Sequence, residues 1–369
     1  MKKLISLLLS TALIICFAGC NSQKSDSAKT DNTNDDMSYT IGYDDQTGFT
    51  SRSSMNVSNG NGSFNFRVDQ MIYTDYKSGL STVVCSKPDC KHTDETCGGY
   101  FDTEFYFDKG YAFYDDSIWM LGESTTDSKG VSLYKISQDG ITREEYCFLF
   151  SISDINNIFV FTIHRGYAFW TISYDDRAVL YSMNLEDKKV QTAFEQEGYF
   201  PYITSIFGCG NNIYLSTFYA FDEEWKDWNG KILRLNFQTN EYEIILDTYA
   251  DFAVNKNGLF YYTDGAVHKI DLSTKEDIVI SEISKIQWSI LTDGENLWLT
   301  NFSDDTVKSE DYQIIEMTCD GKTENTINVP DMEFFVGADS NSITLIQMKV
   351  NINSARKQTY LPKIQSGPE

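Results

Sequence analysis

The sequence of 369 residues predicts an all-β fold, and three observations support this prediction. Aromatic residues make up 14% of the chain, prolines number five, and long helical periodicity is absent. One short pattern recurs instead: an apolar strand, a polar turn with Gly or Asn, and a second strand rich in aromatic residues. Its copies are FNFRVDQMIYTDY (64–76), FYFDKGYAFYD (105–115), FTIHRGYAFWTI (161–172), IFGCGNNIYLST (206–217), FAVNKNGLFYYTD (252–264), ILTDGENLWLTN (290–301) and FFVGADSNSITLI (334–346). Repeats of about 40–50 residues made of short strands are typical of a β-propeller.

The number of copies predicts seven blades, with six or eight as alternatives. The residues that open the second strand of each copy are Gln70, Gly110, Gly166, Asn212, Gly258, Asn296 and Ser342. A second type of hairpin, such as VSLYKISQDGITREEYCFLF (131–150), lies between the copies, so each blade is expected to have four antiparallel strands. Asp139-Gly140 and Asp320-Gly321 are predicted to form two-residue hairpin turns. The last copy is short of strands, and a strand from about residues 38–66 is expected to complete it.

Three tetrapeptides resemble the repeat of a known family. YYTD (261–264), IYTD (72–75) and FWTI (169–172) look like degenerate forms of the YWTD propeller repeat, although no copy carries the full tetrapeptide. The layout over residues 62–369 is similar to uncharacterised propeller lipoproteins of Gram-positive bacteria. This resemblance implies six blades, whereas the anchors favour seven. The alternative fold is a pair of β-sandwiches with chance periodicity.

The first twenty residues predict export. Lys2 and Lys3 precede an apolar run, Leu4 to Phe17, that is too short to span a bilayer comfortably. The ending Ala18-Gly19-Cys20 resembles the lipobox of bacterial lipoproteins, with Phe17 where leucine is usual. This resemblance implies that residues 1–19 are a signal peptide, that Cys20 is diacylated, and that the protein is anchored on the extracellular face of the cell membrane. Ordinary secretion with an unmodified Cys20 is the alternative.

A flexible tether is predicted for residues 20–60, followed by the propeller domain at 61–369. The segment 21–38 contains no aromatic residue and only two aliphatic ones, so it cannot bury enough surface to offset its ordering entropy. The net charge of −24 disfavours nucleic acid and favours cationic partners or divalent ions.

The stretch VVCSKPDCKHTDETCGG (83–99) is a candidate metal site. Cys85, Cys90, His92 and Cys97 offer the thiolate and imidazole ligands that zinc prefers, although their spacing departs from familiar zinc motifs. Because exported proteins favour disulfides, a Cys90–Cys97 or Cys85–Cys97 bridge is an alternative, and free thiols are a third. The other mature cysteines, Cys147, Cys209 and Cys319, are predicted to be buried small apolar residues.

No catalytic residue is predicted. The chain has no Gly-x-Ser-x-Gly motif, and His164 and His268 have no evident nucleophile nearby. The segment FYAFDEEWKDWNG (218–230) is predicted to be a loop that projects Phe221, Trp225 and Trp228 as a ligand-binding element. The alternative is that the tryptophans fold back against a blade edge.

These features predict a cell-surface lipoprotein whose propeller binds an extracellular protein, peptide or glycan. The alternative is an extracellular hydrolase or lyase that acts on polysaccharide at the propeller channel. Because a propeller alone does not fix a function, the site must decide between them.

Overall fold

The computed structural model consists of antiparallel β-sheets. It describes residues 37, 40, 43–44, 56–67, 69–101, 110–127, 129–151, 158–220, 228–286, 288–301, 307–329, 334–338, 342–347 and 357–362. All of these residues belong to one unit, residues 36–369. A one-turn 3-10 helix covers Ser309–Asp311. In this part of the chain, no helix combines the length and apolar character that a membrane span requires.

Six sheets have four strands each, which pair in chain order, and we call them blades 1 to 6. Blades 1 to 3 contain β1 Asn56–Ser58, β2 Gly62–Arg67, β3 Gln70–Asp75, β4 Ser81–Val83; β5 Tyr111–Tyr114, β6 Ser117–Glu123, β7 Gly130–Ser137, β8 Arg143–Ser151; β9 Ile158–His164, β10 Tyr167–Ser173, β11 Arg177–Asn184 and β12 Val190–Glu197. Blades 4 to 6 contain β13 Tyr199–Cys209, β14 Asn212–Ala220, β15 Trp228–Asn236, β16 Glu241–Leu246; β17 Phe252–Asn255, β18 Gly258–Thr263, β19 Ala266–Ile270, β20 Asp277–Glu282; β21 Ser289–Thr292, β22 Asn296–Thr300, β23 Gln313–Thr318 and β24 Thr323–Asn328. The predicted four-stranded antiparallel blades are confirmed.

A seventh sheet has three described strands, β25 Phe334–Ala338, β26 Ser342–Gln347 and β27 Lys357–Pro362. The complete blades therefore number six, which the sequence prediction allowed beside its preferred seven. The N-terminal strand that was expected to complete the last sheet pairs elsewhere. β1 lies against β2 through Val57↔Phe64 and two flanking pairs, and both strands belong to blade 1. The first described strand of the propeller thus starts at Asn56, inside the range predicted for the tether.

The first strand of each sheet contacts the first strand of the next, from β1 through β5, β9, β13, β17 and β21 to β25. This order is expected when sheets are arranged around a common axis. Five hydrophobic clusters lie between consecutive blades, from blades 1 and 2 to blades 5 and 6. Each blade is therefore held mainly by burying apolar side chains against its neighbours.

One buried aromatic residue recurs at the third position of the second strand in every blade. These residues are Phe64, Trp119, Phe169, Tyr214, Phe260 and Trp298, and none is more than 2% exposed. The equivalent position in the seventh sheet is Thr344. Large aromatic side chains contribute much of the apolar surface of a core, so this position explains the aromatic repeat seen in the sequence.

Three of the seven sequence anchors miss the start of a second strand, and Gly166 misses it by one residue because β10 begins at Tyr167. Gln70 opens the third strand of blade 1, and Gly110 precedes the first strand of blade 2, whereas the second strands open at Gly62 and Ser117. The two-residue turns are also wrong, because the chain uses residues 138–142 and 319–322 between the paired strands. The glycines nevertheless adopt the positive φ that was predicted, +68° at Gly140 and +90° at Gly321.

Candidate metal centre

The cysteine and histidine loop connects blade 1 to blade 2 and extends the sheet of blade 1. After β4, Val84 donates its N–H to the Met71 carbonyl oxygen at 2.9 Å, and Met71 donates to the Gly99 carbonyl oxygen at 2.9 Å. Gln70 and Tyr100 form an isolated antiparallel bridge. Both ends of the loop are therefore fixed on β3, and the segment between them folds over the end of that strand.

The structure brings the four predicted ligands together. One ligand atom each from Cys85, Cys90, His92 and Cys97 lies within 4.8 Å of the other three. The Nδ1 atom of His92 is 3.2 Å from the Sγ atom of Cys97. A zinc ion with Zn–S bonds of about 2.3 Å sets its ligand atoms roughly 3.5–3.8 Å apart, so the cluster has nearly the size of a zinc tetrahedron. The donor set and the geometry both fit this ion.

Burial and hydrogen bonding shift the pKa values of the Cys85 and Cys97 thiols in opposite directions. Burial opposes ionisation of Cys85, but the backbone N–H groups of Lys87 and Gly98 and thiol hydrogen bonds from Cys97 and Cys90 outweigh it and lower its pKa to about 6. Burial is also the main influence on Cys97, and it raises the pKa of that thiol to about 11 despite a hydrogen bond from the Gly99 N–H. Negative charge in the cluster is thus favoured at Cys85.

The backbone of the loop is held in the conformation that directs the ligands inward. His92 has a φ of +57°, in the left-handed region that residues other than glycine seldom adopt. Its carbonyl oxygen accepts a 2.5 Å hydrogen bond from Nε2 of Gln70 at the start of β3. The Asp94 carboxylate accepts hydrogen bonds from the N–H and the hydroxyl of Thr96 at 3.0 and 2.5 Å. The loop is therefore ordered by its own polar contacts.

Blade 2 contacts the same loop from the other side. The Nη2 atom of Arg143, at the start of β8, donates to the carbonyl oxygens of Cys97 at 3.1 Å, of Gly98 at 2.6 Å, and of Tyr100. Its guanidinium carbon lies 4.0 Å from the centroid of the Phe101 ring. Gly98 also packs so closely on Gly140 that a Cβ atom at position 98 would lie 2.1 Å from the Gly140 carbonyl oxygen.

Sequence reasoning did not find this contact with blade 2. The signals in the sequence are the Gly98-Gly99 pair and the glycine of the Asp139-Gly140 turn, and only the second was given a role, as a turn residue. Close backbone approach is the other common reason for glycine, and only the folded chain shows which glycines meet.

The remaining predicted site residues are placed only in part. Cys20, Phe221 and Trp225 lie outside the described residues. The backbone of Trp228 opens β15 opposite Ala220, so this residue lies in a strand rather than in the predicted loop. The six cysteines from Cys85 to Cys319 that the structure describes are free thiols. Cys209 is buried as predicted, whereas Cys147 and Cys319 are only partly buried.

The two histidines outside the loop occupy structural positions. His164, fully buried at the end of β9, donates from Nε2 to the Gly210 carbonyl oxygen at 2.8 Å. His268 lies 3.2 Å from the Asp277 carboxylate and stacks on the ring of Tyr261 at 4.7 Å. Both rings therefore join strands or turns of the fold.

A buried ion pair that the sequence did not reveal lies beside His164. Asp44 is 2% exposed and accepts a 2.5 Å hydrogen bond from Nε of Arg165, while its Oδ1 atom lies 3.7 Å from Nδ1 of His164. The N–H of Arg165 also donates to the Tyr43 carbonyl oxygen at 2.8 Å. The segment at residues 43–44 is thus bonded to the β9–β10 turn, although it falls within the predicted tether.

One comparison with a solved structure supports the fold. No family model matches the chain, and no curated protein sequence matches it. The β-propeller domain of the trilobed protease from Pyrococcus furiosus is similar over 85% of this chain and 97% of that one, with 8% identity and a TM-score of 0.52. This likeness supports a β-propeller and, at such low identity, nothing finer.

Two further solved structures are similar at lower scores. Oligogalacturonate lyase from Vibrio parahaemolyticus matches 72% of this chain and 76% of its own, with 10% identity and a TM-score of 0.46. Dipeptidyl peptidase 4 from Porphyromonas gingivalis matches 82% of this chain, with 10% identity and a TM-score of 0.43. This chain spans 50% of the length of that peptidase.

Proposed function

We propose that this protein is a lipid-anchored β-propeller on the cell surface that binds an extended segment of an extracellular protein. The observation that carries this proposal is a set of exposed apolar side chains on the outermost strands. Tyr242 and Ile244 on β16 are 58% and 47% exposed, and Ile278 and Val279 on β20 are 45% and 53% exposed. Clustered exposed apolar residues of this kind are common at protein interaction sites.

The backbone edge of β16 suits an extended partner. β16 pairs with β15 on one side, and no other described strand pairs with it. An extended peptide can add to such an edge through main-chain hydrogen bonds, while pockets for alternate side chains give specificity. Tyr242 and Ile244 alternate with Glu241 and Glu243 along the strand, so they lie on one face of the sheet.

The charge around β16 favours a basic partner. Glu241 is exposed on β16, Glu276 in the turn before β20 and Glu282 at the end of β20. Glu243 on β16 is paired with Arg234 and Lys275, and the whole chain carries a net charge of −24. A segment in which Lys or Arg alternates with apolar residues complements both the apolar side chains and the acidic groups. Nucleic acid and acidic glycans would be repelled by the same charge.

The attachment of residues 43–44 supports display from a tether. Asp44 lies between the predicted lipid anchor at Cys20 and the first strand, and it is held by a buried ion pair with Arg165. A chain that leaves the membrane as a tether would therefore meet the propeller at a fixed point, the β9–β10 turn.

The test is a peptide array probed with the full-length protein in detergent, with a glycan array in parallel. We expect binding to peptides in which basic and apolar residues alternate, loss of binding in the double variant Tyr242→Ser/Ile244→Ser, and retained binding in Leu80→Ser. Leu80 is 68% exposed in blade 1 and serves as the matched control. Binding that is unchanged in the double variant, or binding to glycans alone, would contradict the proposal.

One observation favours the alternative of a hydrolase or lyase at the channel. Asp251 directly precedes β17, an inner strand, and burial raises the pKa of its carboxyl group, although a 3.2 Å hydrogen bond from Ser289 opposes this. A buried carboxyl group with a raised pKa is suited to act as a general acid in glycoside chemistry. Release of reducing ends from a polysaccharide panel, abolished by Asp251→Asn and kept by Asp247→Asn, would establish the enzyme instead.

A further inference from the structure

We propose that Cys85, Cys90, His92 and Cys97 bind one zinc ion that braces the connection between blades 1 and 2. Three thiols and one imidazole form a complete tetrahedral ligand set, and all four come from the protein. Such a closed set leaves no position for water or substrate, so the role of the ion is structural. The site is independent of the proposed peptide surface, which lies on blades 4 and 5.

The cluster is close to the size that zinc requires. Its four ligand atoms lie within 4.8 Å of one another, so the widest separation must shrink by roughly 1 Å to reach the edge of a zinc tetrahedron. The 3.2 Å separation of His92 Nδ1 and Cys97 Sγ is already as short as coordination to a common ion demands. The loop has enough freedom for this change because Cys85, Cys90 and His92 are only partly buried.

Groups around the ligands are arranged as they are around structural metal sites. Backbone N–H groups of Lys87 and Gly98 point at the Cys85 sulfur, and the Gly99 N–H points at the Cys97 sulfur. Hydrogen bonds of this kind orient thiolate ligands and spread their negative charge. The ammonium group of Lys87 also donates to the Thr96 carbonyl oxygen within the loop, which places a positive charge beside a centre that would carry one net negative charge.

The left-handed conformation of His92 is a second, independent observation. A residue other than glycine adopts this conformation at a cost of about 1–2 kcal/mol, and here it turns the imidazole towards Cys97. Gln70 holds the His92 carbonyl oxygen in place. The arrangement brings the imidazole to the sulfur atom with which it would share the ion.

A disulfide accounts for less of the geometry. It would join two of the three converging sulfurs and leave the third thiol and the imidazole without a role. Soft thiolates select zinc, copper(I) or iron, and a closed site of three cysteines and one histidine is a familiar zinc set. Binding would release protons from the coordinating thiols, so the ion is expected to bind more tightly as pH rises.

Blade 1 has shorter strands than the other blades, so a bound ion would stabilise it more. Its first and last strands, β1 and β4, have three residues each. The loop supplies Val84 and Phe101 to the hydrophobic cluster between blades 1 and 2. An ion that fixes the loop therefore fixes part of the interface between these blades.

The experiment measures zinc in the full-length protein, purified in detergent with a reductant, by elemental analysis and native mass spectrometry. We expect one zinc ion per chain in the wild type and in Cys319→Ser, whose thiol lies in blade 6. We expect none in Cys90→Ser or His92→Asn. A chelator should lower the melting temperature of the wild type and of Cys319→Ser but leave that of Cys90→Ser unchanged.

Cobalt(II) keeps the proposal testable if these variants fold poorly. Added to metal-free wild type, it should give the intense visible absorption of a tetrahedral thiolate site, and one equivalent of zinc should abolish it. Three results would overturn the proposal: reduced wild type that takes up no zinc, stoichiometric zinc retained in both Cys90→Ser and His92→Asn, or a disulfide between two of these cysteines in the isolated protein that prevents zinc uptake.

Discussion

Replacing Arg143 by alanine is expected to loosen the contact between blades 1 and 2. The guanidinium group donates to the carbonyl oxygens of Cys97, Gly98 and Tyr100 and covers the ring of Phe101. One nitrogen shared by three acceptors is worth about 2 kcal/mol, within the range for hydrogen bonds from charged groups. The contact with the buried ring adds about 1 kcal/mol. We therefore expect Arg143→Ala to lower the free energy of unfolding by about 3 kcal/mol.

The assay is thermal and urea unfolding of the full-length protein, with Arg177→Ala as the matched control. Arg177 forms exposed ion pairs with Asp176 at 3.4 Å and Glu195 at 3.7 Å, and such pairs contribute about 0–1 kcal/mol. For a domain of this size, about 3 kcal/mol corresponds to a fall in melting temperature of about 6 °C. Lysine at position 143 keeps the charge but not the planar fork, so it should recover only part of the loss. If Arg143→Ala and Arg177→Ala unfold at the same temperature, Arg143 does not stabilise the contact between blades 1 and 2.

Three further predictions concern single positions. Gly140→Ala should destabilise the protein by roughly 2 kcal/mol more than Gly79→Ala. Both glycines have a φ near +67°, but only at Gly140 would a Cβ atom meet another atom, the Val84 carbonyl oxygen at 2.3 Å. Equal melting temperatures of the two variants would contradict this prediction. Burial opposes ionisation of Glu145, but hydroxyl hydrogen bonds lower its pKa to about 2, so its stabilisation is complete above the unfolded value of 4.5 and is lost as pH falls towards 2. Glu145→Gln should therefore weaken the dependence of the free energy of unfolding on pH between 4.5 and 2. An unchanged pH dependence in this variant would contradict the prediction. Asp44→Asn should cost about 3 kcal/mol in urea unfolding because it leaves a buried guanidinium without its carboxylate; a loss below 1 kcal/mol would show that the pair is not buried in solution.

Strand content and pairing order could be predicted because they depend on local patterns. The hairpins at Asn212, Gly258, Asn296 and Ser342 open their second strands at the predicted residues, since each combines a polar turn with alternating apolar positions. The first two anchors failed because blade 1 has a second hairpin, β2–β3, with the same pattern, and because the turn of blade 2 is Asp115-Asp116 rather than one with glycine. Position three of the second strand would have been the better anchor, since a buried aromatic recurs there.

The four candidate ligand residues of the cysteine loop could be named from the sequence, but the residues that surround them could not. Four candidate ligands within thirteen positions of sequence can reach a common ion in many folds, because the chain between them is short. Arg143 lies more than forty residues from the carbonyl groups that it binds, and Asp44 lies 121 residues from Arg165. Such contacts depend on how one blade packs against another, and no local pattern in a single sequence carries that information.

The position of the cysteine loop follows from how this propeller is built at its ends. In the described residues, β1 to β4 pair only with one another, and so do β25 to β27, so no sheet combines strands from both ends of the chain. Within the described strands, main-chain hydrogen bonds therefore do not join the first sheet to the last, and side-chain packing joins the first sheet to blade 2. That sheet is also the one with two three-residue strands. If the proposed ion binds at the converging ligands of the loop, it would tie β3, the loop and β8 together at the sheet with the shortest strands.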